Sequence, residues 1–496
     1  MMGRASKLFS VPTPTTRNQA DFPAYERSIE EQYLQTLLTN TLGNTFYATE
    51  NELLQEASQL HDAILDVDPD FAAKAMAFAR SEGFMRLQPI LGLAKLSESF
   101  PSFFARVFPH VIKIPSDLSD FLTILNGQGR GEGGRAVKRE VANFLNNISE
   151  YWALKYNGRG RGYSLGDMVN TSHVKAKDER QNRLFRYAMG KETTLEGLPQ
   201  LAAFEALKRA VTDKELIHWI TEGKLPHEIV TGAIKPTKEV WNAILEQMPT
   251  FALLRNLNTL DRAGILDERQ DYISERLTDR DALSKSKILP FRFLTAYNEM
   301  EKSWIKDVLR QSVELTFDNL PHIEGRTAVF LDISGSMNGQ YLRIGSVFAL
   351  ALYKKTQGQS LFWTFDTLVY DPHPSRVDSI LTQAERIVSQ GGTDTGAPVR
   401  ALIRENSIYD TIIMITDEQQ TAGSAFYREL RNYRIARNPK TKAFIIDLAP
   451  YRGAMVPTLD RDTFYVYGWS DMILSYIAQA QNGYGDIVKH VRELVL

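Results

Sequence analysis

The 496-residue sequence contains no cysteine. This absence excludes disulfide bonds, thiol catalysis, and cysteine-ligated zinc or iron–sulfur sites. No apolar run approaches the roughly 18 residues that are needed to cross a bilayer. No hydrophobic block follows the first residues, Met1–Lys7, so we expect no secretory signal. These absences predict a cytoplasmic protein with no membrane partner.

The chain as a whole has little net charge, −2, and only eight histidines. One segment departs from this balance. Residues 121–190 contain twelve Lys and Arg but six Asp and Glu, a net charge of +6 that leaves −8 for the rest of the chain. A local cationic excess beside an acidic remainder is typical of a surface that binds phosphates. The alternative is an ordinary solvated helix face.

A chain of this length predicts two or more domains. Residues 1–23 contain three prolines and predict an extended arm. From residue 24 to 320 the apolar spacing is helical, as in Leu34, Leu37, Leu38 and Leu42. Many helices of modest length joined by short polar turns favour stacked helix pairs. We therefore predict an all-α repeat domain over residues 24–320.

One glycine-rich motif has the spacing of a dinucleotide-binding loop. Residues 129–134 match Gly-x-Gly-x-x-Gly, which binds dinucleotides only between a strand and a helix of a parallel βαβ unit. The residues around it have helical periodicity. We therefore interpret the motif as a turn with basic neighbours.

The segment from about residue 321 to 496 has a different pattern, in which short apolar strands alternate with helices. This alternation predicts a mostly parallel sheet in an α/β, doubly wound domain. Two apolar runs end in acidic residues, Thr327–Asp332 and Thr411–Asp417. Ligands of such sheets gather at the carboxyl ends of the strands. A ligand site is therefore expected where these runs end.

The residues at that edge are oxygen donors. Asp332, Ser334 and Ser336 form Asp-x-Ser-x-Ser, and Thr393 lies in a later glycine-containing loop. Together with Asp417 they make a hard, oxygen-only ligand set of low charge, which suits Mg²⁺ or another divalent cation such as Mn²⁺. Alone, Asp-x-Ser-x-Ser is also compatible with a simple turn. The combined pattern predicts a metal site.

Residues 321–496 resemble a von Willebrand factor A domain, a Rossmann-like fold with a metal-ion-dependent adhesion site. The resemblance implies that Ser334 and Ser336 bind the metal directly, and that Asp332, Thr393 and Asp417 bind it directly or through water. It also implies an open coordination position for an acidic group of a partner.

Other stretches resemble the Ro autoantigen family of TROVE-domain RNA-binding proteins. They are Lys238–Leu257, Gly134–Asn146, Tyr163–His173 and Ile288–Phe291. The resemblance extends from about residue 25 to the end of the chain. It implies a ring of HEAT-like helical repeats followed by the von Willebrand A domain.

The resemblance also implies the partners. Small noncoding Y-like RNA would bind a basic outer helical face, and misfolded or single-stranded RNA would enter a central hole. The implied residues are Arg130, Arg135, Lys138, Arg139, His173, Lys175 and Lys177. The chain departs from the family where a denser basic run usually precedes the helix at Gly134, since Phe121–Gly127 has no cation.

Three classes of function differ in how well they fit these features. We expect a non-catalytic RNA-binding scaffold that acts in RNA quality control or processing, with a ribonuclease or another protein recruited through the metal site. The alternative is a metal-dependent adhesion or co-chelatase module without an RNA role. A hydrolytic enzyme is not expected, because no Ser–His–carboxylate spacing is evident and the metal motif has few carboxylates.

Overall fold

The computed structural model describes residues 13–131, 133–158, 162–286, 288, 290–317, 322–356, 359–457, 460, 462–468, 477 and 487–496. They form two compact units. The sheet unit comprises Met1–Gln88, Leu289–Leu294 and Val313–Val495. The helical unit comprises Pro89–Ile288 and Thr295–Ser312. These units differ from the predicted domains, because residues 24–88 group with the sheet.

The helices and strands of the described residues are numbered in chain order. The first are β1 Thr16–Arg17, β2 Pro23–Ala24, α1 Ile29–Thr39, α2 Glu50–Val67, α3 Pro69–Ser81, α4 Leu87–Ser99, α5 Pro101–Val111, α6 Pro115–Gly127, α7 Gly134–Leu145, α8 Glu150–Tyr156, α9 Leu165–Ser172, α10 Glu179–Ala188, α11 Pro199–Leu207 and α12 Asp213–Gly223. Next come α13 His227–Ala233, α14 Lys238–Gln247, α15 Thr250–Arg262, α16 Gln270–Thr278, α17 Arg280–Ser286, α18 Phe291–Glu299 and α19 Ser303–Phe317.

The remaining elements belong to the C-terminal part of the sheet unit. They are β3 Thr327–Asp332, α20 Gln340–Lys355, β4 Ser360–Phe365, β5 Val369–Tyr370, α21 Ile380–Ala384, α22 Ala397–Arg404, β6 Thr411–Thr416, α23 Phe426–Ala436, β7 Lys442–Asp447, β8 Thr463–Tyr467 and α24 Ile487–Arg492. The helical repeats followed by a doubly wound sheet confirm the predicted fold class.

Local sequence signals explain where many helices begin. Ser28, Thr49, Ser164 and Thr212 each form a capping box with the acidic residue three positions later. In the helical unit, successive helices pack in pairs, for example α9 with α10 and α11 with α12. Their buried faces are rows of Leu, Val and Ile at helical spacing.

The sheet has the strand order β5-β4-β3-β6-β7-β8. All neighbouring strands are parallel except β5, which pairs antiparallel with β4. The two central strands, β3 and β6, are buried along their whole length. The chain crosses from β3 to β4 on one side and later returns to β6 on the other. The strand order therefore reverses between β3 and β6, where ligand sites of such sheets lie.

The described part of the predicted N-terminal arm is a small hairpin of β1 and β2. Tyr25 then forms a bridge with Ala454, and α1 packs against β8. The N-terminal residues are thus part of the sheet unit. Within the described residues, no helix is long and apolar enough to cross a membrane.

Candidate metal centre and basic face

The carboxyl ends of β3 and β6 bring the two predicted aspartates to one edge of the sheet. Asp332 is the last residue of β3, and Asp417 directly follows β6. Leu331 pairs with Ile415 in the parallel register. The Thr416 hydroxyl donates to Asp332 Oδ2 at 2.6 Å, which joins the two strand ends directly.

The loop after β3 folds tightly around Asp332. The Ser334 amide donates to Asp332 Oδ1 at 2.9 Å. A short 3₁₀ turn at Gly335–Met337 then brings Ser336 Oγ to 3.3 Å from Ser334 Oγ. The two predicted hydroxyl ligands are therefore side by side, next to the carboxylate.

The loop carrying Thr393 is held between the two strand-end loops. The Gln390 amide donates to Ile333 O at 2.7 Å, and the Gly335 amide donates to Gly391 O at 3.0 Å. On the other side, the Thr393 amide donates to Thr421 Oγ1 at 2.9 Å. These hydrogen bonds bring the three predicted loops together.

Glycine is required at one position of this arrangement. Gly391 has φ of +68°, a conformation that residues with a side chain rarely adopt. A Cβ there would also collide with the Asp366 carboxylate. A side chain at position 391 would therefore displace the loop that contacts Gly335.

The two buried aspartates destabilise one another's charge. Burial raises the pKa of Asp332 to about 6, and the Asp366 charge adds to this. Burial and the neighbouring Asp332 charge raise the pKa of Asp417 to about 7. Hydrogen bonds from Thr416 and Ser334 partly offset the shift at Asp332. Without a cation, ionising both groups is therefore unfavourable.

One observation in particular indicates that these residues suit a divalent cation. Asp417 Oδ2 is buried and has no hydrogen-bond partner among the described residues, and such an atom is costly unless something binds it. The donor set is two carboxylates and three hydroxyls, all hard oxygens that suit Mg²⁺. Within the described ranges, no group of three or more His, Cys, Asp or Glu is placed to hold a metal ion. The hydroxyls of Ser334, Ser336 and Thr393 would therefore have to supply the remaining ligands.

The structure adds acidic neighbours that the motifs did not assign. Asp366 follows β4, is buried, and accepts from the Leu368 amide at 2.7 Å. Its charge acts on Asp332. Asp394, next to Thr393, is ion-paired with Arg400. The signal that marks Asp366 in the sequence is its place after an apolar run that ends at Phe365.

A buried charge network lies beside Asp417. Arg27 forms an ion pair with Glu418 and a second with Asp447, whose Oδ2 is 3.0 Å from Arg27 Nη2. All three side chains are almost fully buried. Gln35 also donates to Asp447 Oδ2, at 2.6 Å. This network ties the N-terminal segment to the residue that follows Asp417.

Two more hydrogen bonds extend this connection. The Gln19 amide donates to Gln419 Oε1 at 2.8 Å, and Asn18 Nδ2 donates to Gln420 O at 2.9 Å. The Gln419 amide in turn donates to Asp417 Oδ1 at 3.1 Å. The three residues after Asp417 are therefore each bonded to the N-terminal segment.

The predicted basic residues of the helical unit begin on α7. Arg135 and Arg139 are exposed, and Lys138 is half-buried. Their spacing of three and four residues places them on one helix face. Arg139 also lies 2.8 Å from Glu140 in an exposed ion pair. The face is thus positively charged and open to solvent.

The second predicted group follows α9 and reaches the other end of α7. His173, Lys175 and Lys177 are exposed, and His173 has φ of +51° as the C-cap residue of α9. Lys177 Nζ donates to Asn146 O at 2.7 Å, at the C-terminal end of α7. The structure therefore brings Lys177 to the end of α7. We call the two predicted groups together the α7 basic face; its residues are Arg135, Lys138, Arg139, His173, Lys175 and Lys177.

Arg130 makes different contacts from the other predicted RNA-binding residues. Its guanidinium donates to Ala94 O at 2.7 Å and to Ser97 Oγ at 2.8 Å, near the C-terminal end of α4. It therefore ties the loop between α6 and α7 to α4. The nearby Gly-x-Gly-x-x-Gly lies between helices α6 and α7, and not after a strand.

Several cations that raise the charge of residues 121–190 have acceptors within the unit. Arg180 pairs with Glu150 at 2.6 Å, and Arg183 pairs with Glu196 at 3.4 Å. The net charge of residues 121–190 therefore overstates the positive charge of the surface that these residues form.

Comparisons with known proteins agree with this architecture. A family model described as the TROVE domain matches residues 228–357. The RNA-binding protein RO60 of Deinococcus radiodurans is 25% identical, covering 91% of this chain and 92% of that protein. A protein of the same name from Caenorhabditis elegans is 24% identical, over 76% of this chain and 72% of its own length.

A solved structure shows the same fold. It is the crystal structure of the Deinococcus radiodurans RO (RSR) protein, with a TM-score of 0.67, 22% identity, and coverage of 92% of this chain and 100% of that one. The fold is that of a protein in which helical repeats are followed by a doubly wound, mostly parallel sheet. These matches support the resemblance to the Ro family of TROVE-domain proteins that the sequence predicts.

Proposed function

We propose that this protein is a non-catalytic RNA-binding scaffold. The observation that carries the proposal is the α7 basic face. Cations at Arg135, Lys138 and Arg139 occupy one helix face, and Lys177 lies at the far end of the same helix. Relatives with similarity over most of the chain are RNA-binding proteins by name.

The chemistry of the face favours structured RNA over a base sequence. Lys and Arg neutralise phosphates and position a duplex, but they read no base edges from this arrangement. The twelve residues of α7 extend for about 18 Å, at 1.5 Å per residue. We therefore propose small noncoding RNA of the Y type as the ligand of this face. Misfolded RNA, or single-stranded RNA ends, would enter the hole that the family resemblance implies.

The metal centre has a separate role in this proposal. Mg²⁺ or Mn²⁺ would be held by Asp332, Ser334, Ser336, Thr393 and Asp417, and would supply an electrophilic position for the carboxylate of a protein partner. The five donors are one fewer than an octahedral Mg²⁺ takes, so one coordination position would remain for a hard oxygen ligand such as a carboxylate. A partner ribonuclease recruited in this way would give the complex its role in RNA quality control.

The test of the RNA proposal is a salt titration of RNA binding. For about four neutralised phosphates, log affinity should fall with log salt at a slope near −3 to −4, because each phosphate contributes about 0.7 to 0.9. Reversing Lys138 and Arg139 to Glu should weaken binding to all sequences and flatten the slope. Arg130→Gln is the matched control for a cation that faces inward, and its slope should equal that of the wild type.

A second candidate function is a metal-dependent adhesion or co-chelatase-like module without an RNA role. The arrangement of the three loops and the unpartnered Asp417 Oδ2 favour it. Asp332→Ala/Asp417→Ala separates the two proposals. The scaffold predicts RNA affinity within about threefold of wild type, less than 1 kcal/mol, with loss of the protein partner. Metal-dependent RNA cleavage that disappears in this variant would instead make the protein a nuclease.

A further inference from the structure

All five proposed metal ligands are buried in the structure. The exposed fractions are 0% for Asp332, 1% for Ser334, 5% for Ser336, 1% for Thr393 and 1% for Asp417. A partner carboxylate can reach a cation held by these residues only through an open path. The residues that cover the site therefore decide whether it can recruit anything.

Three tyrosines lie around the site. Tyr451, which is buried, packs edge-on against Tyr47, with their ring centroids 5.6 Å apart. The Tyr47 hydroxyl lies beside Ser336 and close enough to Asp417 and Asp332 for their charges to act on it. Tyr341, in the first turn of α20, is within reach of the same Asp417 charge. Tyr47 belongs to residues 41–48, which we call the Tyr47 loop.

The two ends of the Tyr47 loop are anchored. At the first end, Asn40 caps α1 and its side chain accepts from the Leu42 amide at 2.9 Å. At the second end, Thr49 forms the capping box of α2. A turn in which the Thr45 amide donates to Ala48 O at 2.8 Å shapes the tip. The loop therefore has fixed ends and its own internal structure.

The middle of the loop is held mainly by ring contacts, since Tyr47 packs edge-on against both Phe46 and Tyr451. The Tyr47 amide donates to Tyr451 Oη at 3.5 Å, at the long limit for a hydrogen bond. The adjacent Phe46 is 65% exposed. A loop with two fixed ends, whose middle is held by ring contacts near the surface and one long hydrogen bond, is the kind of segment that can open locally.

We propose that Tyr47 covers the metal site and that opening of the Tyr47 loop admits the acidic group of a partner. This inference rests on the proposed metal site and assigns Tyr47 to it as the residue that controls access. The cation itself would remain bound in the closed form, because Tyr47 is not among the proposed ligands.

The test uses the full-length protein loaded with Mn²⁺, whose bound water is followed by proton relaxation, with acetate as the carboxylate probe. A loop that is open for about 1–10% of the time weakens the apparent acetate affinity about 10- to 100-fold. Tyr47→Ala should therefore bind acetate about 10- to 100-fold more tightly than the wild type. Its Mn²⁺ affinity should stay within about threefold, or under 1 kcal/mol.

Tyr47→Phe is the matched control, because it keeps the ring and removes only the hydroxyl. It should behave as the wild type. If Mn²⁺ binds to both proteins and the acetate affinity of Tyr47→Ala equals that of the wild type, Tyr47 does not cover the site. The proposed metal site itself would not be contradicted by that result. If the wild type does not bind Mn²⁺, or if Asp332→Ala binds it equally well, both the metal site and the covering role of Tyr47 would be contradicted.

A measurement on the unaltered protein makes the test independent of how Tyr47→Ala folds. Amide hydrogen exchange of residues 41–48 should accelerate when acetate is added to the Mn²⁺-loaded protein. Unchanged exchange at an acetate concentration that displaces metal-bound water would contradict an opening of the loop.

Discussion

The two units of this protein use charged residues in opposite ways. The sheet unit buries Arg27, Glu418 and Asp447 beside the candidate metal loops. The helical unit keeps Arg135, Arg139 and Lys175 at the surface of the α7 basic face. A buried charge depends on its partners for stability, whereas an exposed one is available for a ligand. Substitutions in the two units should therefore affect different measurements.

The largest expected effect is on stability and belongs to the buried network. Arg27→Ala leaves Glu418 and Asp447 without their cation, and removing one partner of a buried pair costs about 3–5 kcal/mol. Chemical denaturation should show this loss. Arg17→Ala, which breaks an exposed pair with Asp21, is the control and should cost under about 0.5 kcal/mol. A similar small loss for Arg27→Ala would contradict the comparison.

The next effect is stabilisation by metal. A ligand that binds only the folded state adds about 2.7 kcal/mol at 100 times its dissociation constant. The melting temperature of the full chain should rise with Mg²⁺ or Mn²⁺, and Asp332→Ala should abolish the rise. Lys138→Ala, in the other unit, should retain it. An equal rise in Asp332→Ala would show that the cation binds elsewhere.

The pH dependence of the metal-free protein is a further test of the buried aspartates. Because the pKa values of Asp332 and Asp417 are raised to about 6 and about 7, the folded state binds more protons than the unfolded state between about pH 4 and pH 7. Their contribution to stability therefore falls as pH rises through this range. Asp417→Asn should be more stable than the wild type at pH 8 in chelator, and this advantage should shrink towards pH 5. If Asp417→Asn were more stable than the wild type by the same amount at every pH, the result would argue against the raised pKa values.

The smallest effects on stability are expected on the α7 basic face. Arg135→Ala and Lys175→Ala should change the free energy of unfolding by under about 0.5 kcal/mol. Each should nevertheless reduce the salt slope of RNA binding by about 0.7 to 0.9 if the residue contacts one phosphate. Parallel unfolding and salt titrations separate the two effects. A changed stability with an unchanged slope would mean that these residues serve the fold.

Much of the fold was predictable from the sequence because its signals are local. The apolar spacing at Leu34, Leu37 and Leu38 predicts one buried face of α1, and all three are buried. The apolar runs that end at Asp332 and Asp417 predict two strands with acidic carboxyl ends. Parallel pairing brings those ends to one edge of the sheet. The sequence is therefore sufficient to predict which residues are the candidate ligands.

Other features depend on contacts that no local pattern records. Arg27 meets Glu418 across 391 positions of the chain, and Tyr47 covers loops that begin near residue 332. The inward direction of Arg130 is equally hidden, since its neighbours in sequence are glycines and its acceptors lie on α4.

The sequence by itself thus determined the order of helices and strands, the absence of thiol chemistry and the oxygen donors at the sheet edge. Tertiary structure decided which cations are exposed, which carboxylates lose water and what covers the candidate metal centre. The physical reason is the range of the forces involved. Periodicity and capping act within a few residues, whereas burial and pKa depend on every group that packing brings close.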